Sequence, residues 1–371
     1  MALNKLKHRN RDWLFEAAFP RWSSNGVDKH GCFREKLNLD GSPIETETTR
    51  VRVQARQTYC FAIAKNLGWG PAEDILKMGV NTLLNKCMLP SGLPAVTIHP
   101  QHGPVNAAVD LYDVAFVLFA LSHAALSFGD GKIVSAVNAL LETIETSLRH
   151  PSPDGGFAEI LPPRGLREQN PHMHLLEGLL VAHQATGNPA ALRMADHITD
   201  FTKRVFIDPI DGGLHEFGPV RAGAIIENDR YEAGHQFEWV WLLHEKARLQ
   251  SQAIEPFAKT LEQKALKLRA SSGRIPLSHT LTDQPRETFM RSWGITEAIK
   301  AYCYLTRFTD SDYTADLFQA HDILYQDHLC ADGTWIDRRD ADGKALSTDV
   351  PASTFYHVVF ALNQVLEFPG T

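Results

Sequence analysis

The sequence predicts an all-α fold in which six helical hairpins close into a toroid, an (α/α)6 barrel with short β-ribbons in its long loops. Helical periodicity, with capping and breaking residues, marks about twelve segments along the chain. The connections between these segments alternate between tight turns and long loops, which places the two kinds of connection at opposite ends of the fold. We therefore expect one domain over residues 1–371.

A third observation is a repeat with a period of about 60 residues. Residues of chemical interest recur near the start of every second predicted helix, at intervals of 57, 61, 61, 58 and 64 residues: Arg56, Asp113, His174, His235, Trp293 and His357. Such a period is typical of repeated helical hairpins, and six of them can close into a ring. Closure puts the second helix of each pair inside, so the starts of the inner helices should line a funnel.

The predicted elements follow the chain in order. The helices cover residues 10–20, 48–68, 71–88, 108–127, 130–148, 171–187, 189–206, 229–249, 254–270, 287–307, 311–328 and 353–367. The tight turns cover residues 68–71, 128–130, 187–189 and 308–311. In residues 154–159, 211–216 and 332–337, with a weaker copy at 31–35, a turn dipeptide precedes alternating residues. This pattern is typical of a short β-ribbon, and the ribbons should share one face of the barrel.

Composition and charge exclude several classes of protein. The chain has 44% hydrophobic and 22% charged residues, as soluble globular proteins do. The formal net charge is −7 with no basic block, so we predict neither a nucleic-acid surface nor a membrane surface. The N-terminus lacks the hydrophobic segment of a signal peptide, and no stretch approaches 18 consecutive apolar residues. We expect a cytoplasmic protein, with a homodimer left open.

The absence of several sequence motifs narrows the chemistry. The five cysteines are scattered without CxxC spacing, so neither a disulfide framework nor a thiolate zinc site is predicted. No GxGxxG follows a strand, and neither a phosphate-binding GxxxxGK[ST] nor a GxSxG elbow occurs. No cofactor is therefore predicted. What remains is acid and base chemistry by histidine, assisted by arginine.

Two histidines each lie three residues before a glutamate on a predicted inner helix. His174 precedes Glu177, His235 precedes Glu238, and His357 begins the last helix. A carboxylate beside an imidazole can fix its tautomer and raise its basicity, as proton transfer near neutral pH requires. A buried structural histidine explains any one of them alone, but three at one phase of the repeat favour a catalytic role. A carboxylate-bridged metal site is the other alternative, but it needs further glutamates, so we predict no metal.

An arginine and an aromatic residue complete the candidate site. Arg56 could hold a sugar hydroxyl or an enediolate oxygen, since its charge stays fixed through a reaction. The alternative is a buried ion pair with a carboxylate such as Asp113. Trp293 and Glu297 offer a flat apolar wall and a hydroxyl acceptor, which suit a hexose, although an aromatic residue on an inner helix is often only part of the core.

With these motifs the chain resembles the N-acylglucosamine 2-epimerase superfamily. The matching words span nearly the whole chain in family order: Gln54-Ala55-Arg56, Leu111-Tyr112-Asp113, Asn170-Pro171-His172-Met173-His174 with Glu177, Gly234-His235-Gln236-Phe237-Glu238-Trp239, Arg291 with Trp293 and Glu297, and Pro351-Ala352-Ser353-Thr354 with Tyr356-His357. The sequence departs from the family at Val114, where many relatives carry a polar residue, and at Ala233, where they carry proline. Each of these motifs is a weak indication alone, but their combination in this order is highly specific for the superfamily.

The resemblance implies an (α/α)6 barrel and metal-free proton transfer at C2 of an open-chain sugar through an enediolate. It implies His235 and His357 as general acids or bases, with His174 and Arg56 near the substrate oxygens and Glu238 orienting His235. The residues then expected around the sugar are Tyr112, Asp113, Asn170, Glu177, Trp293 and Glu297.

We predict a sugar isomerase or epimerase that acts on an unphosphorylated hexose, with isomerisation of mannose to fructose ahead of 2-epimerisation. The small sugar is the expected binding partner. One alternative is an (α/α)6 glycoside hydrolase, with Asp154 and Asp211 as its paired carboxylates. Another is a sugar-binding or protein-binding toroid without catalysis, which the joint presence of the three histidines and Arg56 disfavours.

Overall fold

Two concentric rings of helices make up the molecule. The structure is a computed structural model and describes residues 2–220, 226–227 and 229–369. Along the chain, outer and inner helices alternate. This confirms the predicted fold class and the prediction that the second helix of each pair lies inside.

The inner helices are buried on all sides. We number them one to six in chain order: Val51–Asn66, Leu111–Phe128, Gln169–Thr186, Ala233–Gln250, Ser292–Phe308 and Phe355–Glu367. A helix that is apolar or buried all round must be enclosed by other elements. Each inner helix packs against the next, and the sixth packs against the first, so the ring is closed.

The outer helices bury one face against this ring and expose the other. They are Ala2–Asp12 continued by Trp13–Ala18 and Phe19–Ser24, then Ala72–Lys86, Gly131–Ser147, Pro189–Val205, Phe257–Leu268 and Thr314–Ile323 continued by Leu324–His328. The side chains of Asp130 and Asn188 accept hydrogen bonds from the backbone N–H groups of Lys132 and Ala190. These caps fix where two outer helices begin.

The predicted helix boundaries differ from the structure by four residues or more at three places. The first helix runs from residue 2 to residue 24 rather than 10–20, and the fourth inner helix begins at Ala233 rather than at residue 229. The largest error is at residues 287–291, which were predicted as helix but belong to the strand Pro285–Arg291. That strand pairs with Pro276–His279, and backbone pairing to a neighbour outweighs a local helical pattern.

The predicted ribbons are minimal, and a second set of strands joins the repeats. Within the ribbons, single bridges pair Val27 with Phe33, Arg149 with Phe157, Ile207 with Leu214 and Leu329 with Trp335. The longer strands are Lys36–Asn38, Thr49–Arg50, Thr97–His99, Gly103–Pro104, Val109–Asp110, Ile160–Leu161, Arg167–Glu168, Phe217–Gly218, Pro276–His279, Pro285–Arg291, Arg338–Arg339 and Asp349–Pro351. Lys36–Asn38 pairs antiparallel with Asp349–Pro351. The ring is therefore also closed at its long-loop face, between the two ends of the chain.

The second inner helix is more apolar than the sequence analysis allowed. Leu111–Phe128 is long and apolar enough, with a mean hydropathy of 1.6, to cross a membrane by length and composition alone. It is 72% buried inside the barrel, which is what the core helix of a closed ring requires.

Candidate active site

A pocket of about 370 Å³ opens at the end of the barrel where the six inner helices begin. Every inner helix contributes to its wall, together with the loops that precede it. The lining residues are Arg50, Arg52, Arg56, Tyr112, Asn170, His174, Glu216, Arg230, Glu232, His235, Glu238, Leu277, Arg291, Trp293, Ser353, Thr354 and His357. The predicted funnel thus exists, and the predicted residues Arg56, Tyr112, Asn170, the three histidines, Glu238 and Trp293 line it.

The local backbone explains why these side chains converge. The residues that precede inner helices one to five are extended: Arg50, Asp110, Glu168, Glu232 and Arg291. An extended residue therefore leads directly into each of these five helices, and residues from the first two turns of each helix line the pocket. The amino ends of helices carry partial positive charge, so six of them around one pocket favour negative charge there.

His235 is held by a glutamate from the preceding ribbon. Its Nδ1 donates to Glu216 Oε1 at 2.8 Å, and Glu232 Oε2 lies 3.7 Å away. Burial alone would lower the pKa of His235, but the charge and hydrogen bond of Glu216, followed by the charge of Glu232, raise it to about 9. His235 therefore carries a proton on both ring nitrogens near neutral pH.

A buried chain of hydrogen bonds fixes the orientation of Glu216. Trp239 Nε1 donates to Gln169 Oε1 at 2.8 Å, and Gln169 Nε2 donates to Glu216 Oε2 at 3.1 Å. Because an indole N–H can only donate, Trp239 determines which end of the Gln169 amide faces Glu216. Glu216 is thus held by Gln169 on one oxygen and by His235 on the other.

His357, in contrast to His235, is held in its neutral form. Its Nδ1 donates to Glu297 Oε1 at 2.7 Å, which leaves the Nε2 lone pair free. Burial, followed by the positive charges of Arg56 and Lys300, lowers the pKa of His357 well below its ordinary value. Glu297 also accepts from Trp241 Nε1 at 3.1 Å and forms an ion pair with Lys300, so it is rigidly placed.

His174 lies between these groups and Arg56. Its Nδ1 donates to Glu177 Oε2 at 3.0 Å, and Tyr356 donates a hydrogen bond to the other oxygen of Glu177. Burial and the nearby Arg56 charge lower the pKa of His174 well below its ordinary value. The ring stands edge-on to Tyr112, with the ring centroids 4.8 Å apart. A neutral His174 can therefore contact a substrate oxygen from the same wall as Tyr112.

Arg56 is a buried cation without a carboxylate partner among the described residues. It donates to Ser353 O at 3.0 Å and to Tyr112 Oη at 2.6 Å, and its Nε is buried without a partner. The ion pair with Asp113 that the sequence left open is instead made by Arg52, which donates to Asp113 Oδ2 at 2.6 Å. The guanidinium of Arg56 is therefore available to a negatively charged oxygen.

Trp293 forms one wall beside both catalytic candidates. The centroid of its ring system lies 4.8 Å from the ring centroid of His235 and 6.0 Å from that of His357. A Cβ atom at Gly234 would lie 2.3 Å from the Trp293 ring, which is far inside contact distance. Glycine is thus required at Gly234 for the indole to lie where it does.

Four expectations about site residues need correction. Glu216, rather than Glu238, holds His235, while Glu238 has no hydrogen-bond partner on either oxygen and lies 3.7 Å from His174 Nδ1. Asp113 is fully buried against Arg52 and does not line the pocket. Glu177 and Glu297 lie beneath the pocket and hold the imidazoles of His174 and His357, so they are not hydroxyl acceptors at its surface.

The carboxylates considered for a hydrolase are also displaced from the pocket. Asp154 bonds to Ser152 in a surface turn, and Asp211 pairs with Lys264 at 2.6 Å. Neither residue lines the pocket, so they cannot flank a scissile bond there.

Sequence reasoning missed the residues that support the histidines from the loops. Glu216, Glu232 and Arg230 line the pocket, and Gln169 lies behind it. One signal was present in the sequence, since each predicted ribbon segment ends in an acidic residue. Two of these residues, Glu35 and Glu159, each form an ion pair with an arginine that precedes an inner helix. Glu216 occupies the equivalent place in its repeat, but its partner is a histidine.

Two groups of side chains have the donor types and spacing of a metal site. They are His174 with Glu177 and Glu238, and His235 with Glu216 and Glu232. In each group the histidine Nδ1 already donates to a carboxylate, whereas a metal ion would need the nitrogen lone pair. The hydrogen bonds within these groups therefore account for their clustering, and the absence of a metal stays a prediction.

Comparisons with known proteins show the family and the fold to which the chain is similar. Residues 31–361 match the family model described as N-acylglucosamine 2-epimerase (GlcNAc 2-epimerase). The chain is 32% identical over 375 residues to a mannose-6-phosphate isomerase of Rhizobium meliloti (strain 1021), covering 95% of both chains.

Solved structures with the same fold are a D-mannose isomerase and the cellobiose 2-epimerase of Spirochaeta thermophila. Both superpose with a TM-score of 0.85, at 20% and 17% identity. Each comparison covers 98% of this chain, and the match spans 97% of the isomerase and 96% of the epimerase.

Proposed function

The chain belongs to the N-acylglucosamine 2-epimerase family of sugar isomerases and epimerases, and from that premise we propose that it interconverts mannose and fructose without a metal. The observation that carries this proposal is a pair of histidines in one pocket, His235 and His357, each held at Nδ1 by a glutamate. His235 has a pKa raised to about 9, and the pKa of His357 is lowered well below its ordinary value. Groups whose pKa values are pushed apart in this way are suited to act as acid and base.

The proposed reaction assigns the carbon-bound proton to the neutral histidine. His357 Nε2 removes the proton from C2 of open-chain mannose and returns it to C1. The protonated His235 gives a proton to O1 and recovers one from O2, so the aldose becomes the ketose with protons balanced. His174 contacts a substrate oxygen beside this pair.

The negative charge of the enediolate is stabilised by fixed positive groups. Among the arginines that line the pocket, Arg56 is the one without a carboxylate partner in the part of the chain that the structure describes, and six helix amino ends surround the same pocket. The side-chain oxygen of Asn170 is buried without a partner, so it offers an acceptor to a sugar hydroxyl. Burial and the neighbouring Glu297 raise the pKa of Glu238 well above its ordinary value, so its carboxyl group can also donate to a hydroxyl.

The charge balance of the pocket favours a sugar without a phosphate. Of its five arginines, four are paired with carboxylates: Arg50 with Glu35, Arg52 with Asp113, Arg230 with Glu232 and Arg291 with Asp337. A phosphate needs unpaired cations to replace its water. The R. meliloti relative carries a phosphosugar in its name. We nevertheless propose a neutral hexose for this chain. Of the five arginines that line the pocket, only Arg56 has no carboxylate partner among the described residues, and we place it beside the reacting carbons rather than beside a phosphate.

The second candidate is 2-epimerisation. It is favoured by the presence of two proton carriers on different inner helices, the fourth and the sixth, beside one tryptophan. If His235 returned a proton to the face of C2 opposite to His357, the product would be the C2 epimer.

Proton NMR in deuterated water tests both candidates. Mannose with protium at C2 should give fructose in which some of that protium has moved to C1, so that part of the product carries two protium atoms at C1, with any glucose appearing more slowly. Rapid formation of glucose with deuterium at C2, ahead of fructose, would instead establish a 2-epimerase. Mannose should also give a higher kcat/KM than mannose 6-phosphate, and the reverse order would refute the neutral-sugar assignment.

A further inference from the structure

The other end of the barrel axis holds a second and larger cavity. Its volume is about 530 Å³, and its walls are the carboxyl-terminal halves of all six inner helices. Asn66, Leu126, Phe308 and Glu367 are exposed around its mouth. The volume is within the range of cavities that hold small molecules in proteins.

A single layer of side chains separates this cavity from the pocket that holds the three histidines. Glu177 lines the second cavity, and its carboxylate accepts the hydrogen bond from His174 Nδ1. Trp241 and Phe360 belong to the same layer. Lys300 Nζ lies 4.5 Å from the ring centroid of Trp241 and 4.3 Å from that of Phe360. The second cavity and the histidine pocket are thus separate, and one layer of side chains forms a wall of both.

Two buried polar atoms on the wall of the second cavity have no hydrogen-bond partner among the residues that the structure describes. They are Nε2 of His123 on the second inner helix and Oε1 of Gln364 on the sixth. Gln364 is 6% exposed. Burial lowers the pKa of His123 to about 3, so its ring is neutral. Unsatisfied buried polar groups are costly, and neutral ones are satisfied by the hydroxyl groups of a ligand or by water.

The charges around the cavity disfavour both kinds of ion. Five charged residues line it, three acids and two arginines, and Arg248 is already paired with Glu245 at 2.7 Å. An anion would therefore find no excess of positive charge. A cation on the faces of Trp241 and Phe360 would be repelled by Lys300, which already occupies the other side of that layer.

We propose that this second cavity binds a neutral polyhydroxylated molecule, of the class of monosaccharides and hexitols, at a site separate from the one that performs proton transfer. Tyr59, Phe119 and Trp241 line the cavity and make part of its wall apolar and aromatic, which suits the C–H groups of such a ligand. His123 and Gln364 offer a nitrogen and an oxygen to its hydroxyl groups. The proposal is independent of which sugar reaction the other pocket carries out.

Equilibrium dialysis of the full chain with labelled D-mannitol tests this site, and a crystal soak with the same probe locates it. The isotherm of the native chain should require two sites, with the second in the cavity around His123. His123→Phe keeps the edge-on packing against Tyr59 and Phe119, whose centroids lie 4.7 and 4.5 Å away, but removes both ring nitrogens. His123→Phe and Gln364→Leu should each weaken the affinity of the second site for mannitol about tenfold or more.

The controls separate loss of the site from loss of the fold. His8→Phe makes the same exchange at an exposed position and should bind mannitol as the native chain does. Both cavity variants must keep the native melting temperature and the binding of mannitol at the first site.

Binding of one mannitol per chain, with no difference between the native protein and the folded His123→Phe variant, would overturn the proposal. So would water alone in the soaked cavity, or tighter binding there of choline or mannitol 1-phosphate than of mannitol. Because the assay measures binding at a site away from His174, His235 and His357, absence of turnover on mannose does not affect its result.

Discussion

Replacing Glu216 by glutamine should convert His235 from a protonated histidine to a neutral one. The charge of Glu216 and its 2.8 Å hydrogen bond are the main reasons that the pKa of His235 is raised, against burial, from 6.5 to about 9. A rise of this size corresponds to about 3 kcal/mol of preference for the charged form. Without Glu216, burial should bring the pKa of His235 to its ordinary value or lower.

The effect on activity should depend on pH in a defined direction. At pH 8 a histidine with a pKa of about 9 is about 90% protonated, and one with a pKa of about 6.5 is about 3% protonated. If protonated His235 is the acid, kcat/KM of Glu216→Gln should be about 30-fold below native at pH 8 and close to native near pH 5.5. His357 does not mask this difference, because its pKa lies well below its ordinary value.

The stability of the native fold should follow the same titration. Since the pKa of His235 is raised on folding, its contribution is fully present below about pH 6.5 and is lost as pH rises through about 9. The free energy of unfolding, measured by urea titration from pH 6 to 10, should therefore fall across this window in the native chain. The fall should be smaller in Glu216→Gln.

The matched control is Glu159→Gln, which removes the acid at the same place of the preceding ribbon. Glu159 pairs with Arg167 at 2.8 Å and does not line the pocket. Its variant should leave the high-pH limb of kcat/KM unchanged, whatever it does to stability. A pH-independent loss of activity in Glu216→Gln, with the native high-pH limb retained, would refute the role given to Glu216.

Four further outcomes are expected. Arg56→Met should lower kcat about a hundredfold, as loss of an oxyanion donor commonly does, with circular dichroism confirming the fold. Glu297→Gln should lower kcat at least tenfold at unchanged KM, because His357 loses the carboxylate that fixes its tautomer; an unchanged kcat contradicts this. Gly234→Ala should raise KM for the sugar, since its Cβ would displace the Trp293 ring, and a crystal structure of the variant would detect that movement. Dialysis against EDTA should leave turnover intact, and loss restored by one divalent ion would establish a metal enzyme.

The support of the histidines shows where sequence reasoning was incomplete. The spacing of His235 and Glu238 on one helix predicted that the glutamate would hold the imidazole. In the structure Glu238 faces His174, and the hydrogen bond to His235 comes from Glu216 in the loop before that helix. Residues three apart lie on one helix face, but the direction of each side chain depends on the neighbouring helices.

Arg56 and Asp113 show the same limit at an ion pair. Both were placed correctly near the starts of inner helices, yet Asp113 pairs with Arg52, four residues before Arg56. The period of about 60 residues could not choose between two arginines one helical turn apart. Because Asp113 pairs with Arg52, Arg56 has no carboxylate partner among the described residues. The role proposed for Arg56 depends on that free charge.

The sequence by itself determined the ring of helical hairpins, the end of the barrel at which the site lies, and the residues Arg56, His174, His235 and His357 that reach it. These follow from local periodicity and from the repeat, because one helix start per repeat must face the axis once the ring closes. The pairing of His174 with Glu177 follows from their spacing, but only the tertiary structure decided which carboxylates hold His235 and His357, and therefore which of these two is protonated. A pKa depends on burial and on charges within a few ångströms, and in this fold those charges come from the loop before the helix for His235 and from the neighbouring inner helix for His357.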